Sequence, residues 1–297
     1  MDKQVGYEVA GANDAGQRVD NYIMLIKRGV PRSRIYRAIR KGEVRVNKGR
    51  VKPTTRLSEG DIVRIPPMSC KEGASEEYKL AQGQAKSLKE KIIFENNEYI
   101  VINKDAGIAV HSGSGASYGL IDQYNQIFDE KIYLVHRLDK AVSGCILLSK
   151  SRQSMVKAQA EWKNSKTNKI YHALVFYDEM PRVNKIEQNL IGKDGREISA
   201  VTRFRILKKS GKVLLVEIRL DTGRKHQIRK HMSSIQLPLI GDDKYGDYRK
   251  NSEFVGEYGV TGLMLHAYKL SVYGTKINCC AEYPGSLKEA IAILQMD

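Results

Sequence analysis

Cysteine is scarce in these 297 residues: four in all, Cys70, Cys145 and the adjacent pair Cys279 and Cys280. They make neither a CxxC pair nor a regular framework, which excludes a disulfide scaffold and supplies no zinc ligand set. Long apolar runs are lacking too. Nothing approaches the ~18 residues needed to cross a bilayer. The N-terminal "MDKQVGYEVAG" has no signal-peptide core, so a cytoplasmic protein is expected, away from any membrane. The third shortage is acidic: 34 Asp and Glu stand against 50 Lys and Arg, for a net charge of +16. Such an excess seldom serves folding and suits an anionic partner, nucleic acid or an acidic membrane surface. What is present is ordinary for a globular chain, 41% hydrophobic and 28% charged residues, with length for about two domains.

The charge is concentrated at the front. Residues 16–66 hold 14 Lys and Arg against 4 Asp and Glu, so +10 of the +16 lies there. Val19, Tyr22, Ile23 and Ile26 recur at helical spacing. A second helix is predicted from Pro31 and Ser33, with Ser33 as N-cap and Gly42 as the stop. Arg34, Arg37 and Lys41 fall three and four apart on it and share a face, away from Ile35 and Ile39. "EVRVN", a turn at "NKGR" and "DIVRI" then alternate as strands do. In this order, "QRVDNYI", "SRIYRAIRKGEVRVNKGRVKP" and "LSEGDIVRI" resemble the small RNA-binding fold named after small-subunit ribosomal protein four. The resemblance implies an RNA-binding domain over 1–67, with Arg34, Arg37 and Lys41 on phosphates, a contact that gives affinity without reading sequence.

Residues 68–90, "MSCKEGASEEYKLAQGQAKSLKE" after Pro67, lack an apolar period and are expected to be a linker. A second domain, 91–297, opens with two strands around a polar turn in "IIFENNEYIVINKDAG". It carries three chemically loaded clusters. "VHRLDKAVSGCILLSK" places Arg137, Asp139 and Lys140 at the mouth of the strand-like Cys145–Leu148. "KIYHALVFY" is a strand with Tyr171. "LDTGRKHQIRKHMSSIQLPLIGDDKYG" holds Arg224, His226, Gln227, Arg229 and His231. Singly, each has a bland reading: a turn-capping aspartate, a half-buried sheet tyrosine, a solvated basic patch.

Together and in order they resemble the RluA type of pseudouridine synthases, which modify large-subunit ribosomal RNA, and most closely its RluC branch. The family's "HRLDxxTSG", "KxYxALV", "GRTHQIRxH" and "GxPIxGDxxYG" stand here as "HRLDKAVSG", "KIYHALV", "GRKHQIRKH" and "QLPLIGDDKYG", and "LMLHAYKL" matches the closing strand. Val142 and Lys225 replace threonines. The implied fold is α+β, a mixed, largely antiparallel sheet with a basic central cleft behind the small α+β RNA-binding domain. The implied reaction isomerises uridine to pseudouridine in 23S ribosomal RNA and requires no cofactor or metal, because nothing is oxidised or imported. Breaking the glycosidic bond builds positive charge on the sugar and calls for a carboxylate. The resemblance assigns that part to Asp139, attacking the anomeric carbon or taking a ribose proton, with the Arg229 guanidinium beside it keeping it ionised.

It further assigns Arg137 to the space left by the flipped base, Tyr171 to stacking on the uracil and to the proton on carbon 5, and Leu265 to the pocket wall. Arg224, His226 and Gln227 are expected on the RNA. The partner is ribosomal RNA or a pre-ribosomal particle, and the protein acts as a monomer. Two rivals remain: an inactive RNA-binding or chaperone protein of the ribosome, which has no need of Asp139, Tyr171 and Arg229 together, and a glycosidase or nucleosidase, which needs a second carboxylate and no basic front. The glycine-rich "HSGSGASYGL" lacks the GK[ST] ending of a nucleotide loop and reads as a turn lining the cleft.

Overall fold

In the computed structural model the basic front folds around the apolar positions that its spacing singles out. The structure describes residues 4–27, 29–68, 80, 83–111, 118–128, 131–163, 167–192 and 195–296. Cys70, most of the expected linker and residues 112–117 of the glycine-rich segment lie outside them. The chain divides into two units, Met1–Lys79 and Leu80–Asp297.

The first unit contains β1 (Gly6–Val9), α1 (Val19–Ile26), α2 (Arg32–Lys41), β2 (Arg45–Val46), β3 (Gly49–Arg50) and β4 (Ile62–Ile65). Its antiparallel sheet runs β1-β4-β2-β3. Val19, Tyr22 and Ile23 from α1 meet Ile35, Ala38 and Ile39 from α2 over Val63 and Ile65. Gly42 ends α2 in the left-handed region, φ 71°, where glycine carries no Cβ penalty. The start of α2 differs from expectation. Pro31, not Ser33, occupies the N-cap, and its carbonyl accepts the amides of Arg34 and Ile35. Proline serves there because its φ is preset and it has no N–H to leave unpaired. Buried Asp20 joins the helices, accepting from Arg18 (2.6 and 3.1 Å), the Tyr36 hydroxyl (2.7 Å) and the Asn21 amide (2.8 Å). Burial alone would raise its pKa; Arg18 and Tyr36 overcome that and hold it below the usual carboxylate range.

The second unit contains α3 (Gln84–Glu90), β5 (Ile92–Glu95), β6 (Tyr99–Lys104), α4 (Leu120–Tyr124), β7 (Tyr133–Leu134), β8 (Ser143–Ser149), α5 (Arg152–Lys163) and β9 (Thr167–Phe176). Then follow β10 (Lys185–Ile191), β11 (Glu197–Ser210), β12 (Val213–Leu220), α6 (Gln227–Ser234), α7 (Tyr248–Tyr258), β13 (Leu265–Val272), β14 (Asn278–Cys280) and α8 (Gly285–Ile293). The sheet order is β10-β11-β12-β9-β13-β8-β6-β5, with β14 beside β13 and β7 beside β8. β13 and β8 run parallel and the other pairs are antiparallel, so the expected mixed, largely antiparallel α+β architecture is the one found.

Side-chain alternation along β9 divides the two layers. Ala173 and Val175 join Val216, Ile218, Ile146 and Leu265 in the main core. Leu174 and Phe176 face the opposite way, onto Phe254 of α7 and Leu287 and Ile291 of α8. Residues 84–90, expected within the linker, form α3 instead. Leu88 packs against the main core, and its carbonyl accepts the Tyr124 hydroxyl at 2.8 Å; one apolar residue too isolated to set a period suffices once it has a core to meet. Cys279 is buried and Cys280 exposed, opposite faces of a strand as expected.

Candidate active site

β7 pairs with β8 for two residues, and His136 then ends the ladder. The Leu147 amide donates to His136 Nε2 at 2.9 Å, and the ring stacks on Trp162 at 4.1 Å. Burial, aided by Lys169, drives the imidazole's pKa down to about 3, so it is a neutral acceptor. Beyond it the chain leaves the sheet as the loop that carries Asp139.

Main-chain contacts hold that loop. The Lys140 carbonyl accepts from the Gly107 amide (2.8 Å) and from Lys104 Nζ (3.3 Å), while the Val142 amide donates to the Asp139 carbonyl at 3.1 Å. Lys104, fully buried, also donates to the carbonyls of Asp105 and Ile108. Burial lowers its pKa to about 8, against the pull of Asp105 and Asp139. Sequence reading passed over Lys104, although a lysine closing the apolar strand "YIVINK" was the available signal. Gly144 then lets β8 approach β13: its φ is +106° and a Cβ there would lie 2.3 Å from the Ala267 carbonyl oxygen. Next to it, Ser143 Oγ and His266 Nδ1 are 2.9 Å apart. Val142 is buried in the main core, where two methyl groups suit the surroundings better than threonine's hydroxyl.

Asp139 is left with a side chain 26% exposed. Tyr171, half-buried on β9, packs on the main core, to which Leu265 belongs. Leu265 opens β13 in register with Ala173, two residues from Tyr171 on the same face. Burial first, then Asp139 and Cys145, raise the Tyr171 phenol well above its usual pKa. It is a neutral hydroxyl in the field of the carboxylate.

Arg229 does not have the partner expected for it. Its guanidinium grips Asp242 with two bonds, Nε to Oδ2 at 2.7 Å and an Nη to Oδ1 at 2.5 Å, and reaches Asp243 at 2.8 Å. Asp242 also accepts the amides of Lys244 and Tyr245, each at 2.9 Å, so the arginine anchors the loop of residues 241–246. That loop begins where Gly241, φ +73°, passes Gly262 so closely that a Cβ would overlap its carbonyl. Among the described residues, the basic side chain that reaches Asp139 is His226, its Nε2 3.6 Å from Oδ2. The physical reason is local: His226 is left-handed, φ 54°, ahead of α6, so it does not share the helical direction of Arg229.

Gln227, expected on RNA, is instead buried, with its amide nitrogen donating to the Val201 carbonyl and Thr202 Oγ1 and its oxygen accepting from Thr222 and the Arg224 amide. His231 has no exposed surface. Arg137 and Arg224 are exposed, as are Arg37 and Lys41 on the front unit, whereas Arg34 is half-buried and paired with Glu43 at 3.3 Å. A groove of the second unit, about 1450 Å³, is lined by Lys169, Arg203, Arg219 and Lys269 among others and does not include Asp139, Tyr171 or His226. Among the described residues no three His, Cys, Asp or Glu side chains converge as metal ligands would.

Residues 98–234 match the RNA pseudouridylate synthase family, and residues 17–63 match the S4 domain. Among curated relatives, ribosomal large subunit pseudouridine synthase C of Haemophilus influenzae is 36% identical, over 95% of this chain and 92% of its own. The protein of the same name from Escherichia coli is 36% identical, over 87% of this chain and 86% of its own. The fold is shared with human RNA pseudouridylate synthase domain containing 4, at a TM-score of 0.63 and 24% identity, covering 71% of this chain and 95% of that one. The chain belongs to the RNA pseudouridylate synthase family.

Proposed function

We propose that this enzyme isomerises uridines of the large-subunit ribosomal RNA, 23S, with Asp139 as the reactive carboxylate. The observation that carries the reading is Asp139 itself, half-exposed on a loop fixed by main-chain contacts, beside Tyr171 and His226. The substrate follows from relatives named for the large ribosomal subunit and aligned over most of the chain.

In the reaction the bond from the sugar to uracil nitrogen 1 breaks, the bond from the same sugar carbon to carbon 5 forms, nitrogen 1 gains a proton and carbon 5 loses one. Atoms and electrons balance without a second reactant. The target base must leave its stack first, and Arg137, exposed and two residues from Asp139, fills the gap in this reading. Asp139 meets the positive charge that develops on the sugar. Burial and the anionic Asp139 keep Tyr171 a phenol, so its oxygen takes the carbon 5 proton only as its own passes to nitrogen 1, which balances the transfer. Leu265 and the apolar face around it offer the uracil a dry wall.

The test is to map pseudouridines in ribosomal RNA from cells with and without the gene. Loss of specific positions in 23S RNA, restored by wild-type protein, is the expected result. An unaltered 23S map with positions lost from another RNA would overturn the substrate. The front unit makes a separate prediction. Replacing both Arg37 and Lys41 with alanine should lower the slope of log affinity against log salt by about 0.9 per lost phosphate contact on duplex-like RNA, at an unchanged saturating rate. Arg34→Ala should do less, because Glu43 already engages that guanidinium. Equal slopes in wild type and the double variant would show these cations to be only a solvated face.

A further inference from the structure

His226 sits between two groups, and what holds it is as informative as what it faces. Its Nδ1 lies 3.0 Å from the Tyr245 hydroxyl, and the two rings meet edge-on at 5.6 Å and 71°. Tyr245 in turn lies under the Arg229 guanidinium at 5.2 Å, and its amide is held by the same Asp242 that Arg229 grips. A continuous set of contacts thus runs from the Arg229–Asp242 pair through Tyr245 and His226 to Asp139. His226 is also one of the few non-glycine residues at positive φ, a conformation that costs energy and persists when the surroundings over-determine it.

The tautomer follows from the two neighbours. A neutral imidazole has one N–H and one lone pair. With the proton on Nδ1, the Nε2 lone pair would point at a carboxylate, and the two would repel. With the proton on Nε2, the ring offers Asp139 a donor, and Nδ1 accepts from the Tyr245 hydroxyl. Burial pushes His226 below its usual pKa; Asp139 opposes this, and Arg229, Lys225 and Lys244 reinforce it. The ring is accordingly neutral near pH 7, and the choice of tautomer matters. At 3.6 Å the approach to Asp139 is too long for a hydrogen bond, and such contacts shorten when substrate closes a site.

We propose that His226 is the positioning residue for Asp139, with Tyr245 fixing its Nε2–H tautomer so that this N–H holds the carboxylate in the orientation that meets the sugar. The inference rests on Asp139 being the reactive group. The experiment compares single-turnover pseudouridine formation at saturating RNA, RNA affinity and thermal stability across four variants. His226→Phe keeps a ring but no donor and should be slower by about 10²-fold, the scale of a 1 Å misplacement, with affinity within a few-fold. His226→Gln can present an N–H near the Nε2 position and should recover at least about tenfold of that loss. Tyr245→Phe leaves the histidine but frees its tautomer, and should fall between wild type and His226→Phe.

Wild-type turnover in a folded His226→Phe protein, or a glutamine variant no better than phenylalanine, would overturn the proposal. Should His226→Phe fail to fold, Tyr245→Phe decides, and an undiminished rate there overturns it. Asp139→Asn, the fourth variant, separates the two levels. Turnover retained in it would bring down the reading of Asp139 and this inference with it. Turnover lost in it, alongside an unaffected His226→Phe, would bring down this inference alone.

Discussion

Asp139→Asn should lower pseudouridine formation by at least about 10³-fold, which is about 4 kcal/mol of transition-state stabilisation, while RNA binds within a few-fold of wild type. The substitution keeps size and shape and removes the charge. An amide can neither attack the anomeric carbon as a carboxylate does nor take a ribose proton, so both routes fail together. The fold should not register the change. The loop is fixed by the carbonyls of Asp139 and Lys140 and by buried Lys104, none of which uses the Asp139 carboxylate. A melting temperature within a few degrees of wild type is therefore expected, and it makes the lost turnover interpretable. The measurement is single-turnover product formation on a large-subunit RNA fragment, with binding measured on the same samples. A folded asparagine variant that keeps even a tenth of the wild-type rate would remove Asp139 from the chemistry.

Much of this site could be read from residue order, and the exceptions share one cause. Strands β8 and β9 follow from apolar runs, the end of α2 from Gly42, and Asp139 and Tyr171 from the clusters in which they lie. Order along the chain does not say which basic group of "GRKHQIRKH" faces the carboxylate. Equal helical spacing would put His226 and Arg229 on neighbouring directions, but the left-handed turn at His226 sends them apart, one toward Asp139 and the other toward Asp242. Gln227 fails in the same way: in a basic cluster it reads as an RNA contact, yet β11 and the loop after β12 close on it and use all of its amide. Tyr245 and Asp242 lie beyond residues 98–234, the span of the family match, and the motif "GDxxYG" alone does not say what its residues hold. Both lie in the loop that Arg229 holds.

Arg229→Met should therefore act first on stability. Asp242 is 1% exposed and the arginine 7%, so removing the guanidinium leaves a buried carboxylate without its counter-charge. Breaking a buried pair from one side costs about 3–5 kcal/mol, or roughly 6–20 °C in melting temperature for a unit of this size. Asp243, 90% exposed, adds little, as solvent-facing pairs do. Burial by itself would raise the pKa of Asp242; Arg229 and the amides of Tyr245 and Lys244 outweigh it and hold the carboxyl below its usual range. A depressed carboxylate contributes stability above its unfolded pKa of about 3.9 and loses it as pH falls through the lower folded value. In Arg229→Met the sign reverses, because burial then dominates and a neutral carboxyl is favoured. The stability gap between variant and wild type should be widest near pH 7 and narrow as the pH falls toward 4. Adding Asp242→Asn keeps acceptors for the Lys244 and Tyr245 amides while removing the stranded charge, so the double variant should be more stable than Arg229→Met alone. Urea unfolding at several pH values, followed by turnover of whatever remains folded, checks all three expectations. A methionine variant as stable as wild type at every pH, yet inactive, would mean that the guanidinium serves the chemistry at Asp139 directly and that its grip on Asp242 is incidental.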